Sequence, residues 1–319
     1  MIINNYYALK FMHIMELLKA EMHCHNIFSN GHVGYLEPIH DCNVTISQQL
    51  EQAYLTGLDV LFVTNHNTID GYRQMLEYKK NYSKFDTLNV YPAEEVTTDN
   101  ESHVLVYGID HAIKSGLSLD EILDEAKKQD AVTIAPHPFS LMDALREDSI
   151  KCDLFEVFNS SNVDIYSNIK AKKFSEEKNL HVTAGSDSHV KSTIGRCTNL
   201  IYSENKLDGI IHAMKHKQIK INATEYVQPH EVLEHIRYKI ENSKNYIDLH
   251  VSEFYPRSAW AFSLLYKLYM LSPEGIFCKV LYGISINMLK RISRKINFEG
   301  YNPSIFRERD LGTIAKMIF

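Results

Sequence analysis

The chain has 319 residues, of which 45% are hydrophobic and 23% are charged, and its formal net charge is −6. This composition predicts a soluble globular protein with one large α/β domain and an appendage, or with two domains. The negative charge argues against a protein that binds long nucleic acids through a basic surface, but it allows a small basic pocket for a phosphate.

The cysteines and the N-terminus indicate the compartment. The five cysteines are odd in number, scattered and without a C-x-x-C pair, so we expect reduced thiols in a cytoplasmic protein. Residues 1–18 contain neither an uninterrupted apolar run nor a small-residue cleavage site. They therefore predict an arm or helix ahead of the main domain rather than a signal peptide.

Residues 19–225 alternate strand-like with helix-like runs. In chain order the runs are KAEMHCH, TISQQLEQAYLTG, LDVLFVTNHN, TIDGYRQMLEYKKNY, LNVYPAEEVTT, SHVLVYGID, SLDEILDEAKKQD, AVTIAPHP, LFEVFNSS, DIYSNIKAKKFSEEKN, LHVTAGSDSH, TNLIYSE, NKLDGIIHAMKHKQ and IKINATEY. Thr45 is a predicted helix N-cap, and Ser118 with Glu121 forms a predicted capping box. The alternation predicts a parallel sheet that is buried on both faces.

Polar side chains at the ends of the predicted strands favour a closed barrel over an open sheet. In barrels, functional residues collect at the C-terminal rim, whereas in open sheets they concentrate at one switch point. Here they recur at the ends of separate strands, as His66, Glu95, His137, Asn159, Asp187 and His189.

Residues 226–319 predict an α-helical C-terminal extension. Its helical runs include HEVLEHIRYKIENSKN, SAWAFSLLYKLYML and IFCKVLYGISINMLKRISRKI. Because Lys267, Glu274 and Lys279 interrupt the apolar stretches, we expect no transmembrane helix. The aromatic face followed by KRISRK is compatible with peripheral contact with a membrane, but packing on the barrel or on a second copy is the favoured interpretation.

The stretch EMHCH, residues 21–25, raises the question of a metal site. On a strand, His23 and His25 project from the same face. Further imidazoles and carboxylates follow at strand ends, and neutral imidazole with carboxylate oxygen suits Zn²⁺, Mn²⁺ or Fe²⁺. The candidate ligands are His23, His25, His66, Glu95, His103, His137, Asp187 and His189, more than one tetrahedral ion uses, so two or three ions are expected.

Taken in order, HCH, SNG, VTNHNT, AEEVTT, SHVLVYG, APHP and AGSDSH resemble the motifs of the polymerase and histidinol phosphatase (PHP) family. The resemblance covers about residues 20–225. It implies a distorted seven-stranded β/α barrel over residues 19–225, with two or three divalent metal ions at the C-terminal ends of the strands. It also implies cleavage of phosphate esters.

The resemblance assigns roles motif by motif. It implies that His23, His25, Glu95 and Asp187 hold one ion, that His103 and His137 hold a second sharing Glu95, and that His66 and His189 belong to a third. Glu95, Asp187 and His189 are the implied catalytic residues. Proton donation to the leaving group is left open between His189, His66 and water.

Two positions depart from the family pattern, and both affect the third ion. Asn30 stands in SNG where the family usually has an acidic residue or histidine, so it is a candidate ligand without charge. Asn65 stands in TNH where the family usually has aspartate, and we expect it to orient His66 rather than to bind metal.

The implied reaction is hydrolysis of a small phosphorylated metabolite or a nucleotide by a hydroxide held between two ions. A short oligonucleotide is a further candidate substrate, whereas stable binding of long nucleic acid is not expected. Arg196 and Arg146 are candidates for binding the phosphate. The alternative is a metal-stabilised scaffold with weakened catalysis, whose helical tail binds a partner or a membrane surface.

Overall fold

The computed structural model describes residues 15–32, 40–272, 275–305 and 311–318. The arm predicted for residues 1–18 lies mostly outside the described residues, and its last residues already belong to the first strand. The strands are β1 (Glu16–Glu21), β2 (Val60–Val63), β3 (Asn89–Thr97), β4 (His103–Tyr107), β5 (Val132–Ala135), β6 (Leu154–Asn159), β7 (Val182–Gly185), β8 (Thr198–Ser203) and β9 (Ile219–Ala223).

The helices lie between the strands and after them. They are α1 (Ile46–Leu55), α2 (Asp70–Lys79), α3 (Leu119–Lys128), α4 (Tyr166–Lys178), α5 (Leu207–Lys215), α6 (Pro229–Asn242), α7 (Lys244–Phe254), α8 (Ala259–Leu271), α9 (Ile276–Glu299) and α10 (Leu311–Ile318). Both predicted N-caps are confirmed, because the hydroxyls of Thr45 and Ser118 accept hydrogen bonds from the backbone N–H groups of Gln48 and Glu121. These bonds satisfy N–H groups that a helix start leaves without a partner.

The strands form one mixed sheet in the order β7-β6-β5-β4-β3-β2-β1-β8-β9. Pairs β1–β2, β2–β3, β5–β6 and β6–β7 are parallel. The expectation of a wholly parallel sheet is wrong for β4, β8 and β9, which pair antiparallel to their neighbours. The reason is clearest at β4, because only residues 98–102 separate it from β3, and a parallel pairing needs a longer crossover.

The sheet curls almost into a closed barrel. Its two end strands, β7 and β9, lie side by side although they are not neighbours in the hydrogen-bonded order. The predicted α/β class with a barrel-like sheet and a helical C-terminal region is confirmed, but the sheet of the described residues has nine strands rather than seven. The extra strands are β8 and β9, which follow the last predicted ligand.

Three clusters of buried apolar side chains hold the barrel and its helices together. One joins the strands to α5, a second packs α3 and α4 on β4 to β6, and a third packs α1 and α2 on β2 and β3. Tyr107 is fully buried, and its hydroxyl donates to the carbonyl of Met22 at 2.6 Å. This bond fixes the end of β1, from which the chain enters the predicted metal site.

The C-terminal region is helical from α6 to α10. Helix α9 packs against α4, where the hydroxyl of Ser293 donates to the buried carboxylate of Asp164 at 2.6 Å. One turn further along α9, the side-chain amide of Asn297 donates to the carbonyl of Phe139 at 3.2 Å. Among the described residues, no helix is long and apolar enough to cross a membrane.

Candidate metal centre

The predicted ligands converge at one rim of the barrel. His23 and His25 follow β1, His66 follows β2, and Glu95 lies within β3. The remaining predicted ligands are His103 at the start of β4, His137 after β5, and Asp187 and His189 after β7. Because β4 runs antiparallel to β3, its first residue reaches the rim at which β3 ends.

Glu95 is the centre of this arrangement. Its Oε2 lies 3.4 Å from Nε2 of His23, 3.3 Å from Nε2 of His25 and 3.3 Å from Nδ1 of His66. Its Oε1 lies 3.0 Å from Nδ1 of His103 and 3.0 Å from Nε2 of His137. One buried carboxylate is therefore surrounded by five imidazoles; together with His189 we call these six rings the histidine cluster.

Asp187 provides a second carboxylate in the same place. Its Oδ1 lies 3.5 Å from Nε2 of His23, 3.4 Å from Nε2 of His25 and 3.5 Å from Nδ1 of His189. The backbone of Asp187 has φ 50°, and that of His137 has φ 28°. Such left-handed conformations are costly for residues other than glycine, and they cluster at functional sites.

Several buried nitrogens of the histidine cluster lack a hydrogen-bond partner. They are Nε2 of His25, Nδ1 of His66 and Nδ1 of His103. Leaving a buried polar atom unpaired costs free energy, and each of these atoms faces a Glu95 oxygen. Groups of three or more imidazole and carboxylate atoms lie within 4.8 Å of one another in several combinations. The donor set therefore fits divalent metal ions.

Burial and the mutual attraction of carboxylates and imidazoles shift the pKa values of the cluster. Burial alone would raise the pKa of Glu95, but the imidazoles of His103, His66 and His23 outweigh it and hold that pKa well below its usual range. For His66 itself, burial is the dominant effect and lowers the pKa to about 4. His66 is therefore neutral at neutral pH, which is the form that binds metal.

His137 and His189 behave in the opposite way. Burial disfavours their protonated forms, but the carboxylates of Asp143 and Glu95 outweigh it and raise the pKa of His137 to about 10. For His189, Asp41 and Asp187 outweigh burial and raise the pKa to about 9. Both rings carry a proton at neutral pH, and a metal ion must displace that proton to bind.

Residues behind the cluster orient its rings. The Nδ1 of His23 lies 3.0 Å from Oε1 of Glu156, and Oε2 of Glu156 accepts the backbone N–H of His137 at 2.7 Å. A Cβ atom at Gly185 would lie 1.8 Å from Oε1 of Glu156 and 2.7 Å from Cβ of His23. Glycine at the end of β7 thus leaves the room that this contact needs.

Asn65 acts on the cluster indirectly. Its Oδ1 accepts the backbone N–H of Asn26 at 2.8 Å and the hydroxyl of Ser29 at 3.1 Å. The same hydroxyl lies 3.1 Å from Nδ1 of His25 and accepts the backbone N–H of His66 at 3.2 Å. Asn65 therefore holds the loop that orients these two histidines, as expected for a residue that does not itself contact metal.

The side chain of Asn30 forms hydrogen bonds with neighbouring residues and does not point into the cluster. Its Oδ1 accepts the backbone N–H groups of Asp41 and Cys42 at 2.6 and 2.9 Å. Its Nδ2 donates to the carbonyl of Cys42 at 3.0 Å and to the hydroxyl of Tyr238 at 3.1 Å. The suggestion that Asn30 is a ligand stays a prediction, but this geometry gives it the role of fixing residues 41 and 42.

Asp41 is the acidic residue that sequence reasoning missed. It is buried, and its Oδ2 lies 2.7 Å from Nε2 of His189 and 3.5 Å from Nε2 of His66. His235 is a second residue that the motifs did not indicate, and its ring stacks on that of His189 with centroids 4.7 Å apart. The sequence feature that could have identified Asp41 is its position in HDCN, where an acidic residue stands just ahead of the N-cap of α1.

The two candidate phosphate-binding arginines are both engaged elsewhere. The guanidinium of Arg196 pairs with Glu231 and, at 3.2 Å, with Glu225. That of Arg146 donates to the carbonyl of Ser140 at 2.9 Å and to Oδ1 of Asn297 at 3.1 Å. Phosphate binding by either residue stays a prediction, and it would require these contacts to be exchanged.

Strand alternation predicts that Glu94, next to Glu95 in β3, points away from the cluster. It does point away from the cluster, but it is fully buried, and it accepts the backbone N–H of Ile113. Burial raises its pKa to about 8. Glu94 is thus a neutral acid at neutral pH, and of these two adjacent glutamates only Glu95 supplies negative charge to the cluster.

Comparisons with known proteins agree with this arrangement. A family model described as PHP-associated matches residues 166–219. The uncharacterized protein MJ1587 of Methanocaldococcus jannaschii is 32% identical over 164 residues, which are 50% of this chain and 93% of that protein. The chain belongs to the PHP family.

Two further proteins resemble this PHP chain more distantly. The uncharacterized protein MJ0417 of the same organism is 26% identical over 188 residues, covering 56% of this chain and 68% of that protein. The crystal structure of PsfC from Pseudomonas syringae PB-5123 has a TM-score of 0.52 and 20% identity, and covers 71% of this chain and 99% of PsfC. The PsfC structure shares the fold with the PHP domain described here.

Proposed function

We propose that this PHP protein is a metal-dependent phosphoesterase that hydrolyses a small phosphorylated metabolite or a nucleotide. The observation that carries the proposal is Glu95, whose two oxygens face five imidazole nitrogens at 3.0 to 3.4 Å. A central carboxylate that can serve two ions at once is what a two-metal hydrolase needs. Three of those nitrogens have no hydrogen-bond partner, which supports metal as their natural partner.

The donor set divides into three groups. His23, His25, Glu95 and Asp187 would hold the first ion, Glu95, His103 and His137 the second, and His66, His189 and Asp41 the third. The first two groups share Glu95, as the family resemblance implies. In the third group Asp41 takes the place that the sequence suggested for Asn30.

Divalent ions, when bound, would activate water as the nucleophile and neutralise the charge of the phosphate. The chain's own residues then have to supply a proton for the leaving oxygen. Since His66 has a pKa of about 4 and is neutral, it is a poor proton donor. While the third ion is absent, His189, with a pKa of about 9, carries a proton at neutral pH and is the better candidate for the general acid. When His66 and His189 hold the third ion, both rings are neutral ligands and water is the proton donor.

The space beside the cluster favours a small leaving group. A cavity of about 90 Å³ lies next to Asp187 and His189, and its apolar wall is formed by Val163, Val190, Val227 and Val232. Val232 belongs to α6, so the C-terminal extension forms part of this wall. This volume lies well below the roughly 300–1,000 Å³ of typical ligand pockets, which favours a small leaving group over a nucleoside.

The test is turnover of an aryl phosphate in the presence of Mn²⁺. We expect hydrolysis by the wild-type protein, and a loss of at least roughly 100-fold in Asp187→Ala because a ligand and its charge are removed. The matched control is Asp110→Ala, which should keep full activity. Asp110 is exposed in the loop that follows β4.

The outcomes separate the enzyme from the alternatives. Equal, negligible rates in wild type and Asp187→Ala, with metal still held, would reject the enzyme and leave the metal-stabilised scaffold. If the wild type is active, rates for alkyl phosphates, nucleoside monophosphates and dinucleotides rank the substrate classes. A preference for dinucleotides would contradict the small substrate that the cavity favours.

A further inference from the structure

Helix α6 reaches into the third group of ligands from outside the barrel. His235, Tyr238 and Lys239 lie on one face of α6 because residues three and four apart are neighbours on a helix. The Nε2 of His235 donates to the carbonyl of Asp41 at 2.7 Å, and the hydroxyl of Tyr238 accepts from Nδ2 of Asn30 at 3.1 Å. The ammonium of Lys239 lies 2.7 Å from Oδ1 of Asp41.

Asp41 therefore divides its carboxylate between two kinds of partner. Oδ1 is bound by Lys239, and Oδ2 faces Nε2 of His189 at 2.7 Å and Nε2 of His66 at 3.5 Å. These two histidines are the ones that the family resemblance gives to the third ion. The positive charge of Lys239 thus lies at the carboxylate that this ion would need.

We propose that Lys239 is a built-in cation that competes with the third metal ion for Asp41. The protein would then hold two divalent ions tightly, and the third would bind only when the ammonium leaves the carboxylate. The reason is electrostatic: an ammonium and a divalent cation on one carboxylate repel each other at short range. The inference rests on the metal centre of the proposed function.

The geometry allows Lys239 to leave while Asp41 stays. The side chain of Lys239 is 40% exposed, and a lysine stem is flexible and carries a compact charge into water at little cost. Asp41, in contrast, is 4% exposed, and its backbone is held by Oδ1 of Asn30 at 2.6 Å. The carboxylate would therefore remain in place to accept a metal ion.

The experiment is a titration of metal-free protein with Mn²⁺ by calorimetry, with ions counted by mass spectrometry. For the wild type we expect two tight equivalents and a weaker third. Lys239→Met removes the competing charge, so its third equivalent should bind at least about tenfold more tightly. Lys239→Arg keeps the charge and should resemble the wild type.

The matched control is Lys244→Met. Lys244 begins α7 and pairs with Asp248 at 2.6 Å, and both side chains are more than half exposed. Its replacement should leave all binding steps unchanged. A second measurement needs no variant: in the wild-type protein, acetylation of Lys239 by acetic anhydride, followed by mass spectrometry, should become faster as the third equivalent of Mn²⁺ is added.

The possible failures are distinguishable. Three tight equivalents in the wild type, an unchanged third step in Lys239→Met, or an unchanged acetylation rate would each overturn the role of Lys239 while leaving the phosphoesterase proposal intact. Absence of any bound Mn²⁺ would overturn both. If Lys239→Met does not fold, as judged by circular dichroism, the acetylation rate in the wild-type protein decides.

Discussion

The carboxylate of Glu156 lies 3.0 Å from Nδ1 of His23, on the side of the ring opposite to the nitrogen that faces Glu95. A carboxylate behind a histidine fixes the tautomer and orientation of the ring and raises its basicity as a ligand. In Glu156→Gln only one side-chain oxygen remains, so either the contact with His23 is lost or the bonds from the backbone N–H of His137 and the side-chain amide of Asn159 are lost. We expect the affinity for the first ion to fall by roughly 10- to 100-fold, measured by titration with Mn²⁺.

The control for this variant is Glu176→Gln, because Glu176 is exposed on α4 and is not part of the cluster. Its metal affinity should equal that of the wild type. Equal affinities for Glu156→Gln and wild type would show that Glu156 is only a packing residue.

Replacement of Glu95 should affect two ions at once. Glu95 faces His23 and His25 with one oxygen and His103 and His137 with the other. We expect Glu95→Gln to retain fewer than about one tight ion per chain, and His103→Ala to lose only the second ion. Metal analysis of protein purified without chelator measures both. Equal metal contents in the two variants would argue against a shared carboxylate.

Metal binding should release protons. In the metal-free protein the pKa values of about 10 for His137 and about 9 for His189 lie above neutral pH, so both rings are protonated there. Each must be neutral to bind an ion, so metal affinity should increase as the pH rises from about 6 to about 9. Calorimetry in buffers of different ionisation enthalpy counts the protons. Identical heats in all buffers would contradict this expectation.

Glu94 should make the stability of the fold depend on pH. Burial raises its pKa from 4.5 to about 8, so the folded protein keeps a proton that the unfolded chain gives up above about pH 4.5. The free energy of unfolding should therefore decrease as the pH rises through this window, by at most roughly 1.4 kcal/mol per pH unit. Glu94→Gln, which mimics the neutral acid, should flatten the profile of melting temperature against pH.

The control for Glu94 is Glu16→Gln, at the exposed start of β1, which should keep the wild-type slope. A slope that persists unchanged in Glu94→Gln would assign the pH dependence to other groups.

Asn30→Asp tests whether this residue supports a loop or binds metal. Aspartate cannot replace the two bonds that Nδ2 of Asn30 donates, and it would set a carboxylate oxygen about 3.0 Å from the carbonyl of Cys42. We expect a loss of roughly 1–3 kcal/mol in the free energy of unfolding, measured by urea denaturation. Asn100→Asp is the control, because Asn100 uses its oxygen as an acceptor toward Ser102. Unchanged stability of Asn30→Asp, with tighter third-metal binding, would favour the ligand role.

Local features of the sequence were sufficient to predict the strands and helices and most residues of the histidine cluster. The caps at Thr45 and Ser118 are short-range signals, and apolar runs that end in histidine or a carboxylate mark the rim of a barrel whichever way the strands connect. Strand alternation, which depends only on the backbone, lets only one of Glu94 and Glu95 face the cluster, and the family pattern indicated Glu95. The direction of β4 was not predicted, because the strand and helix patterns do not encode pairing.

The tertiary structure decided which other residues join the site. Asp41 and Asn30 have the same local character as many loop residues, and only packing brings one to the histidines and turns the other toward backbone N–H groups. Lys239 is 198 positions from Asp41 in the chain, and only the docking of α6 brings them together. Residue type and local periodicity can be read from residues that are neighbours in the sequence. A contact over that separation exists only because the buried surfaces of the barrel and the extension fit each other.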